Sequence, residues 1–251
     1  MPIITVTNQK GGVGKTTTVS ALAEGLQERD CSVLVIDIDP QCNLSDTYVA
    51  TKNSPTILDL LQRRVKISDV IQKTTQGNII AGSPNLAIAN VFTDSKGKEY
   101  LLQNALAEIK KEYDYILIDT PPALGILTIN ALTAATTTII TAQADSFSLR
   151  GIGQLYETIR TVKTYCNPAL TILGILITRY SSRTIIAREA SRMLEDAAKS
   201  IGTTVFTTKI RECSAIKEAQ MFQKGIFSYA PKSNATTDYK ALINEILKED
   251  H

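Results

Sequence analysis

Histidine is almost missing from this sequence: the single one, His251, is the last of 251 residues. A frayed terminus seldom holds catalytic geometry, so imidazole acid–base chemistry is not expected. Cysteine is scarce and scattered. Cys31, Cys42, Cys166 and Cys213 never form a C-x-x-C pair, which argues against a zinc site or a shared iron–sulfur cluster and fits a reducing cytosol. No apolar run approaches the roughly 20 residues that span a bilayer. The chain opens on Pro2-Ile3-Ile4-Thr5-Val6-Thr7, with no basic stretch followed by an apolar one. Neither a membrane span nor a signal peptide is expected, and a cytoplasmic location is. No internal repeat, linker or low-complexity tract interrupts the chain, so one domain over residues 1–251 is expected.

What is present suits a folded α/β protein. A hydrophobic content of 43% against 21% charged residues argues against disorder. The net charge is only +2 but is unevenly divided: residues 1–149 hold 12 Lys and Arg against 15 Asp and Glu, and residues 150–251 hold 15 against 10. A basic second half suits a polyanionic partner, and equally a plain solvated surface.

Short apolar runs alternate with amphipathic stretches. Strands are expected at Ile3–Asn8, Val33–Asp37, Asn78–Ala81, Tyr115–Asp119, Thr138–Ala142, Thr171–Thr178 and Thr204–Thr208. Runs such as Val33-Leu34-Val35-Ile36 and Ile116-Leu117-Ile118 are continuous rather than alternating, as in strands buried on both faces of a parallel sheet. Helices are expected at Thr17–Arg29, Glu99–Lys111, Ser148–Tyr165, Thr184–Ser200 and Asp238–Lys248. The alternation implies a doubly wound, mostly parallel sheet of about seven or eight strands flanked by helices.

Between the first strand and first helix lies Asn8-Gln9-Lys10-Gly11-Gly12-Val13-Gly14-Lys15-Thr16-Thr17. Glycines here let consecutive backbone N–H groups turn toward an anion, and the helix N-terminus adds a favourable dipole. Lys15 would reach the β- and γ-phosphates of ATP, and the Thr16 hydroxyl would stand on Mg²⁺. The usual phosphate loop, G-x-x-x-x-G-K-[ST], wants glycine where this chain has Gln9, and Lys10 adds a second lysine. Gly11, Gly12, Val13, Gly14, Lys15, Thr16 and Thr17 are therefore the candidate ATP-binding residues. Two buried strands end in carboxylates, Asp37-Ile38-Asp39-Pro40-Gln41 and Asp119-Thr120-Pro121-Pro122. In an open parallel sheet the ligand binds beyond the carboxyl ends of the strands, where these groups fall. A single acidic strand end is often only a turn-former; three behind one phosphate loop point to a site.

With Thr7–Thr17, Asp37–Gln41, Asp119–Pro122 and Leu149-Arg150-Gly151 in view, the whole chain resembles the ParA/Soj branch of the MinD-type deviant Walker A ATPases. The resemblance implies a P-loop NTPase fold, slow, partner-stimulated hydrolysis of Mg·ATP, and an ATP-dependent sandwich homodimer. Lys10 would reach into the partner's phosphates, Asp39 would position the attacking water, and Lys15 would complete the catalytic set. Thr16 and Asp119 would hold Mg²⁺, partly through water, with Asp37 in the same network. It also implies partition of a plasmid, chromosome or mobile element with a ParB-like centromere-binding protein. The family usually has glycine after Asp-Pro-Gln, and this chain has Cys42. Cysteine disfavours φ > 0, so a stiffer or differently shaped loop is expected.

The acidic end Lys248-Glu249-Asp250 disfavours attachment to an anionic membrane. Tyr229 and Tyr239 do not form the C-terminal tyrosine cluster of the autokinase relatives. The DNA-binding branch remains, its cations drawn from Arg179, Arg183, Arg188, Arg192, Lys199, Lys209, Arg211, Lys217 and Lys224. Arg188, Arg192 and Lys199 share one face of the expected helix. With Arg211 and Lys217 they are the candidate contacts to non-specific duplex DNA in a nucleoid-associated, ATP-bound state. The bland reading of the helix is a solvated face laced by Glu189, Glu195 and Asp196. Two other readings stay open: an ATPase that positions a protein assembly, and a MinD-like division-site regulator.

Overall fold

The computed structural model describes residues 1–88, 96–109, 111–181 and 185–249. Arg183, Thr184 and His251 lie outside the described residues.

Seven strands form one sheet: β1 (Ile3–Thr7), β2 (Val33–Asp37), β3 (Ile71–Thr74), β4 (Gly77–Ile80), β5 (Tyr115–Asp119), β6 (Thr137–Gln143) and β7 (Thr171–Thr178). Their spatial order is β3-β4-β2-β5-β1-β6-β7. Every pairing is parallel except the β3–β4 hairpin at one edge. The continuous apolar runs have the predicted consequence. Leu34, Ile36, Ile116 and Ile118 enter the core on one face of the sheet, and Val33, Val35 and Leu117 the core on the other.

Helices cover both faces. α1 (Lys15–Gln27) packs beside a long C-terminal helix, and Val19, Leu22 and Leu26 share a core with Leu242, Ile243 and Ile246. Short helices follow β2: α2 (Asn43–Thr47), α3 (Ile57–Leu61) and α4 (Ile67–Val70). α5 (Leu101–Leu106), α6 (Ile126–Ala134) and α7 (Ser146–Tyr165) lie on the opposite face from α1. α8 (Ile185–Ser200), α9 (Ser214–Met221), α10 (Ile226–Tyr229) and α11 (Asn234–Glu249) complete the chain. Among the described residues no helix is long and apolar enough to cross a membrane.

One expected strand is absent. Thr204–Thr208 makes only an isolated bridge, Ile175 to Val205, because Thr207 and Thr208 turn their amides to the Glu245 carboxylate at 2.7 and 3.0 Å. A side chain on α11 thus takes the donors that a ladder would have used.

The strand order positions the site. The chain passes from β1 to β2 on one side, leaves room for β5 between them, and later crosses to β6 on the other side. β1 lies at this switch point, and the loops after β1, β2 and β5 emerge together at the carboxyl edge.

Candidate active site

The loop after β1 is tied down before it turns. The Asn8 side-chain amide donates to the Thr141 carbonyl on β6, and its oxygen accepts the Lys10 amide at 2.8 Å. Gly12 and Gly14 have φ of +72° and +80°, a left-handed backbone that a Cβ would strain. A Cβ at Gly11 or Gly12 would meet nothing within 4 Å, so space opens above the loop. α1 starts at once with Lys15, and its first turn has no side-chain cap and no acidic residue. Its free N–H groups and positive dipole end face that space, which is the physical requirement for an anion site. The Lys15 ammonium is buried and donates to the Lys10 carbonyl at 3.2 Å. Burial pulls its pKa down, opposed by Asp119 and Asp39.

Asp37 and Asp119 end adjacent strands and pair directly across the β2–β5 ladder. Both are fully buried. The Thr16 hydroxyl donates to Asp119 Oδ2 at 2.6 Å, while Asp119 Oδ1 is buried without a hydrogen-bond partner. Burial, with Asp37 nearby, pushes the Asp119 carboxyl well above its ordinary range. A hydroxyl beside an unpartnered carboxylate oxygen fits magnesium, which takes one or two protein oxygens and completes its shell from phosphate and water. Among the described residues no three His, Cys, Asp or Glu side chains converge to cage an ion unaided.

Asp37 differs from Asp119 in that both its oxygens are engaged. Oδ2 accepts the Ser45 amide and hydroxyl at 2.9 and 2.7 Å, and Oδ1 accepts the Asp39 amide at 3.1 Å. Burial raises its pKa to about 6 despite these bonds. Asp39 is nearly buried, lines the cleft, and accepts the Gln41 amide at 2.9 Å.

Cysteine in place of glycine at position 42 predicts a stiffer or differently shaped loop, but the left-handed shape is kept. Its φ is +55°, so the left-handed turn that glycine would make survives, at a strain of roughly 1 kcal/mol. Burial, and then Asp37, Asp46 and Asp39, push the Cys42 thiol up to about 12. It stays a neutral thiol.

Lys10 stands apart from Lys15. Its ammonium lies 2.7 Å from Asp145 Oδ2 and 3.2 Å from Gln143 Oε1, both on its own chain. Gln143 also donates to the Gly12 carbonyl at 3.2 Å. Sequence reasoning missed Gln143 and Asp145, whose only signal was their place at and just past the end of β6, ahead of Leu149-Arg150-Gly151.

A cleft of about 690 Å³ runs from this loop to the opposite wall, a volume that suits a nucleotide. Gly11, Lys15, Thr16, Asp39 and Gln41 line one side. Arg179, Ile210, Cys213, Ile216 and Gln220 line the other. That far wall was unannounced in the sequence because no motif marks it. It is brought in by hydrogen bonds between 204–212 and β7, such as Ile210 N to the Ile177 carbonyl at 2.9 Å.

Comparison with known proteins matches this arrangement. A family profile described as an AAA domain covers residues 1–172. The sporulation initiation inhibitor protein Soj of Bacillus subtilis is 36% identical over 249 residues, 97% of either chain. The chromosome-partitioning ATPase Soj of Treponema pallidum is 37% identical, covering 97% of this chain and 96% of its own. The chain belongs to the ParA/Soj family of ATPases. Among solved structures, cobyrinic acid a,c-diamide synthase from Mycobacterium smegmatis, with bound ATP analogue and magnesium, superposes with a TM-score of 0.85. It is 31% identical, and the match covers 99% of this chain and 95% of that one.

In this ParA/Soj chain the cations expected to meet DNA fall into two groups. Arg188, Arg192 and Lys199 are exposed on α8. Arg192 pairs with Glu189 at 3.4 Å and Lys199 with Asp196 at 3.9 Å, so with Glu195 the described helix carries as many acids as bases. Arg211 and Lys217 instead line the cleft. The Arg211 guanidinium is held by Asp238 on α11, Nη2 to Oδ1 at 2.6 Å and Nε to Oδ2 at 2.9 Å. Only part of the cationic set therefore lies together on one surface.

Proposed function

We propose that this ParA/Soj ATPase works as a partition protein that dimerises on Mg·ATP, binds duplex DNA without sequence preference, and answers to a ParB-like centromere-binding protein. In this reading the whole chain is one ATPase unit, cytoplasmic, and associated with the nucleoid when ATP is bound. The observation that carries it is the pair of lysines on one loop. Lys15 is buried toward the anion space, whereas the Lys10 side chain is 37% exposed at the loop's head.

The residues divide the work. Backbone amides from Gly11 to Thr16 and the start of α1 cradle the phosphates, and Lys15 neutralises them in cis. Thr16 and Asp119 would hold the magnesium ion, which supplies charge neutralisation on the phosphate oxygens when bound. Asp39 orients the attacking water from the cleft floor. Lys10, released from Asp145, reaches the phosphates of a second copy and adds a cation where charge develops, as an arginine finger does.

A second reading is favoured by one observation, the charge balance of α8. An ATPase that positions a protein assembly needs no extended cationic face. The discriminating experiment is binding of random-sequence duplex DNA with ATP, with ADP and without nucleotide. Binding with ATP alone is the expected result. Equal binding in all three states contradicts the switch, and no binding with ATP at low salt removes DNA and leaves the protein-cargo reading.

A further inference from the structure

Asp37 is a saturated carboxylate at the end of β2, and both ends of the segment that follows return to it. The Asp39 amide binds Oδ1, and six residues later the Ser45 amide and hydroxyl bind Oδ2. The loop between them carries Asp39 and the left-handed Cys42, and is braced internally by the Gln41 amide on Asp39 Oδ1 and the Cys42 amide on the Asp39 carbonyl, both at 2.9 Å.

The Ser45 hydroxyl does a second thing. While donating to Asp37, it accepts the Gly82 amide at 2.8 Å from the loop after β4. That loop is pressed close: a Cβ on Gly82 would stand 3.0 Å from Asp37 Cγ and 3.1 Å from Cys42 Sγ. One buried hydroxyl thus joins β2, α2 and the loop after β4 around the base of the 39–45 loop.

We propose that Ser45 is a positioning residue for ATP hydrolysis, closing residues 39–45 into a ring on Asp37 that fixes where the Asp39 carboxylate stands in the cleft. Asp37 in this account is chiefly an anchor for the ring, and Asp119, with its unpartnered oxygen, is the carboxylate left open to the metal. The proposal rests on the reading of Asp39 as the water-orienting group. A misplacement of about 1 Å at such a group costs up to about a hundredfold in rate without touching ground-state binding. The hydroxyl should therefore act on turnover and leave nucleotide and magnesium affinity alone.

The test uses the full chain with Ser45→Thr, Ser45→Val and Asp39→Ala. Threonine and valine have nearly the same shape, and only threonine keeps the hydroxyl. Four quantities are read: Kd for a fluorescent ATP analogue, the magnesium concentration for half-maximal analogue binding, KM, and kcat. Ser45→Val is expected to lose roughly tenfold or more in kcat, with KM, Kd and the magnesium midpoint within about threefold of wild type. Ser45→Thr should keep most of the turnover. Equal kcat in the two variants overturns the proposal. So does a tenfold shift of the magnesium midpoint in Ser45→Val, which would make the ring a support for the metal. Should valine prevent folding, Ser45→Ala is read in the same way, and failure of both to fold makes the clasp a stability element and overturns the proposal. Asp39→Ala separates the two levels: full turnover there sinks the reading of Asp39, whereas a dead Asp39→Ala beside an active Ser45→Val sinks only the clasp.

Discussion

Asp145 holds Lys10 with one carboxylate oxygen and the start of α7 with the other. Oδ2 lies 2.7 Å from the Lys10 ammonium, and Oδ1 accepts the Ser148 amide at 2.8 Å. Against the upward push of burial, Lys10 and Ser148 hold the Asp145 carboxyl below its ordinary range. A lysine that is to meet a second copy's phosphates must first leave this carboxylate, so the ion pair opposes assembly. Asp145→Asn keeps the cap, since asparagine caps helices about as well as aspartate, but removes the charge. Half-exposed ion pairs contribute about 0.2–1 kcal/mol each and a symmetric dimer breaks two of them, so ATP-driven dimerisation should appear at roughly two- to thirtyfold lower protein concentration. Sedimentation across a dilution series checks this, and an unchanged midpoint means that the pair does not restrain Lys10.

Lys15→Ala should remove ATP binding. Lys15 is the one lysine of the loop buried toward the anion space, and alanine leaves the phosphates without a cis cation. Titration with a fluorescent ATP analogue is the measurement, and wild-type affinity in the variant would remove the loop from the site.

Much of this is legible in the sequence alone. Strands β2, β5 and β7 begin and end where the apolar runs do, because a strand buried on both faces announces itself by continuous β-branched and aliphatic residues. The edge strand β3 went unseen: Ile71-Gln72-Lys73-Thr74 is partly exposed and offers one aliphatic residue. α2, α3 and α4 are four or five residues long, too short for a helical period to show. Gly11–Thr17 and the three aspartates could be singled out in the sequence because their motifs are local, and the structure brings them to one edge of the sheet. The clasp on Asp37, the Asp145 anchor and the far wall of the cleft are made by residues that only the fold brings together. Arg211 illustrates the limit. Its charge suggested a surface contact, and nothing in the sequence showed that Asp238 would take it.

Glu245 supplies a pH dependence. Against the upward push of burial, hydrogen bonds from Thr208 and Thr207 hold its pKa below the ordinary value. A depressed carboxylate adds stability above its unfolded pKa and loses it as pH falls through its folded pKa. Acid titration of thermal stability should therefore show a Glu245 contribution that fades below about pH 4.5, the unfolded value. Glu245→Gln should lower Tm at pH 7 and narrow its gap to wild type at pH 3. A gap that is constant with pH would mean the carboxylate charge is not what holds 207–208.

Salt should weaken DNA binding steeply if the partition reading holds. For B-DNA, log K falls with log salt by about 0.9 per phosphate contacted. With roughly three contacts per copy the ATP-bound dimer would show a slope of about −5 and a single copy about −3. Reversing Arg188 and Arg192 to Glu should flatten the slope and lower affinity alike for all sequences, while ATPase activity without DNA survives. An unchanged slope would move the DNA surface off α8.

The claim on which the rest depends is that ATP in this cleft joins two copies through Lys10. Sedimentation velocity of the wild-type chain and Lys10→Ala, each with Mg·ATP, Mg·ADP and no nucleotide, tests it most directly. The account predicts a wild-type dimer with ATP alone, and a Lys10→Ala chain that binds the ATP analogue yet stays monomeric in all three states. A wild-type monomer in saturating Mg·ATP, or a Lys10→Ala dimer with normal hydrolysis, would contradict it.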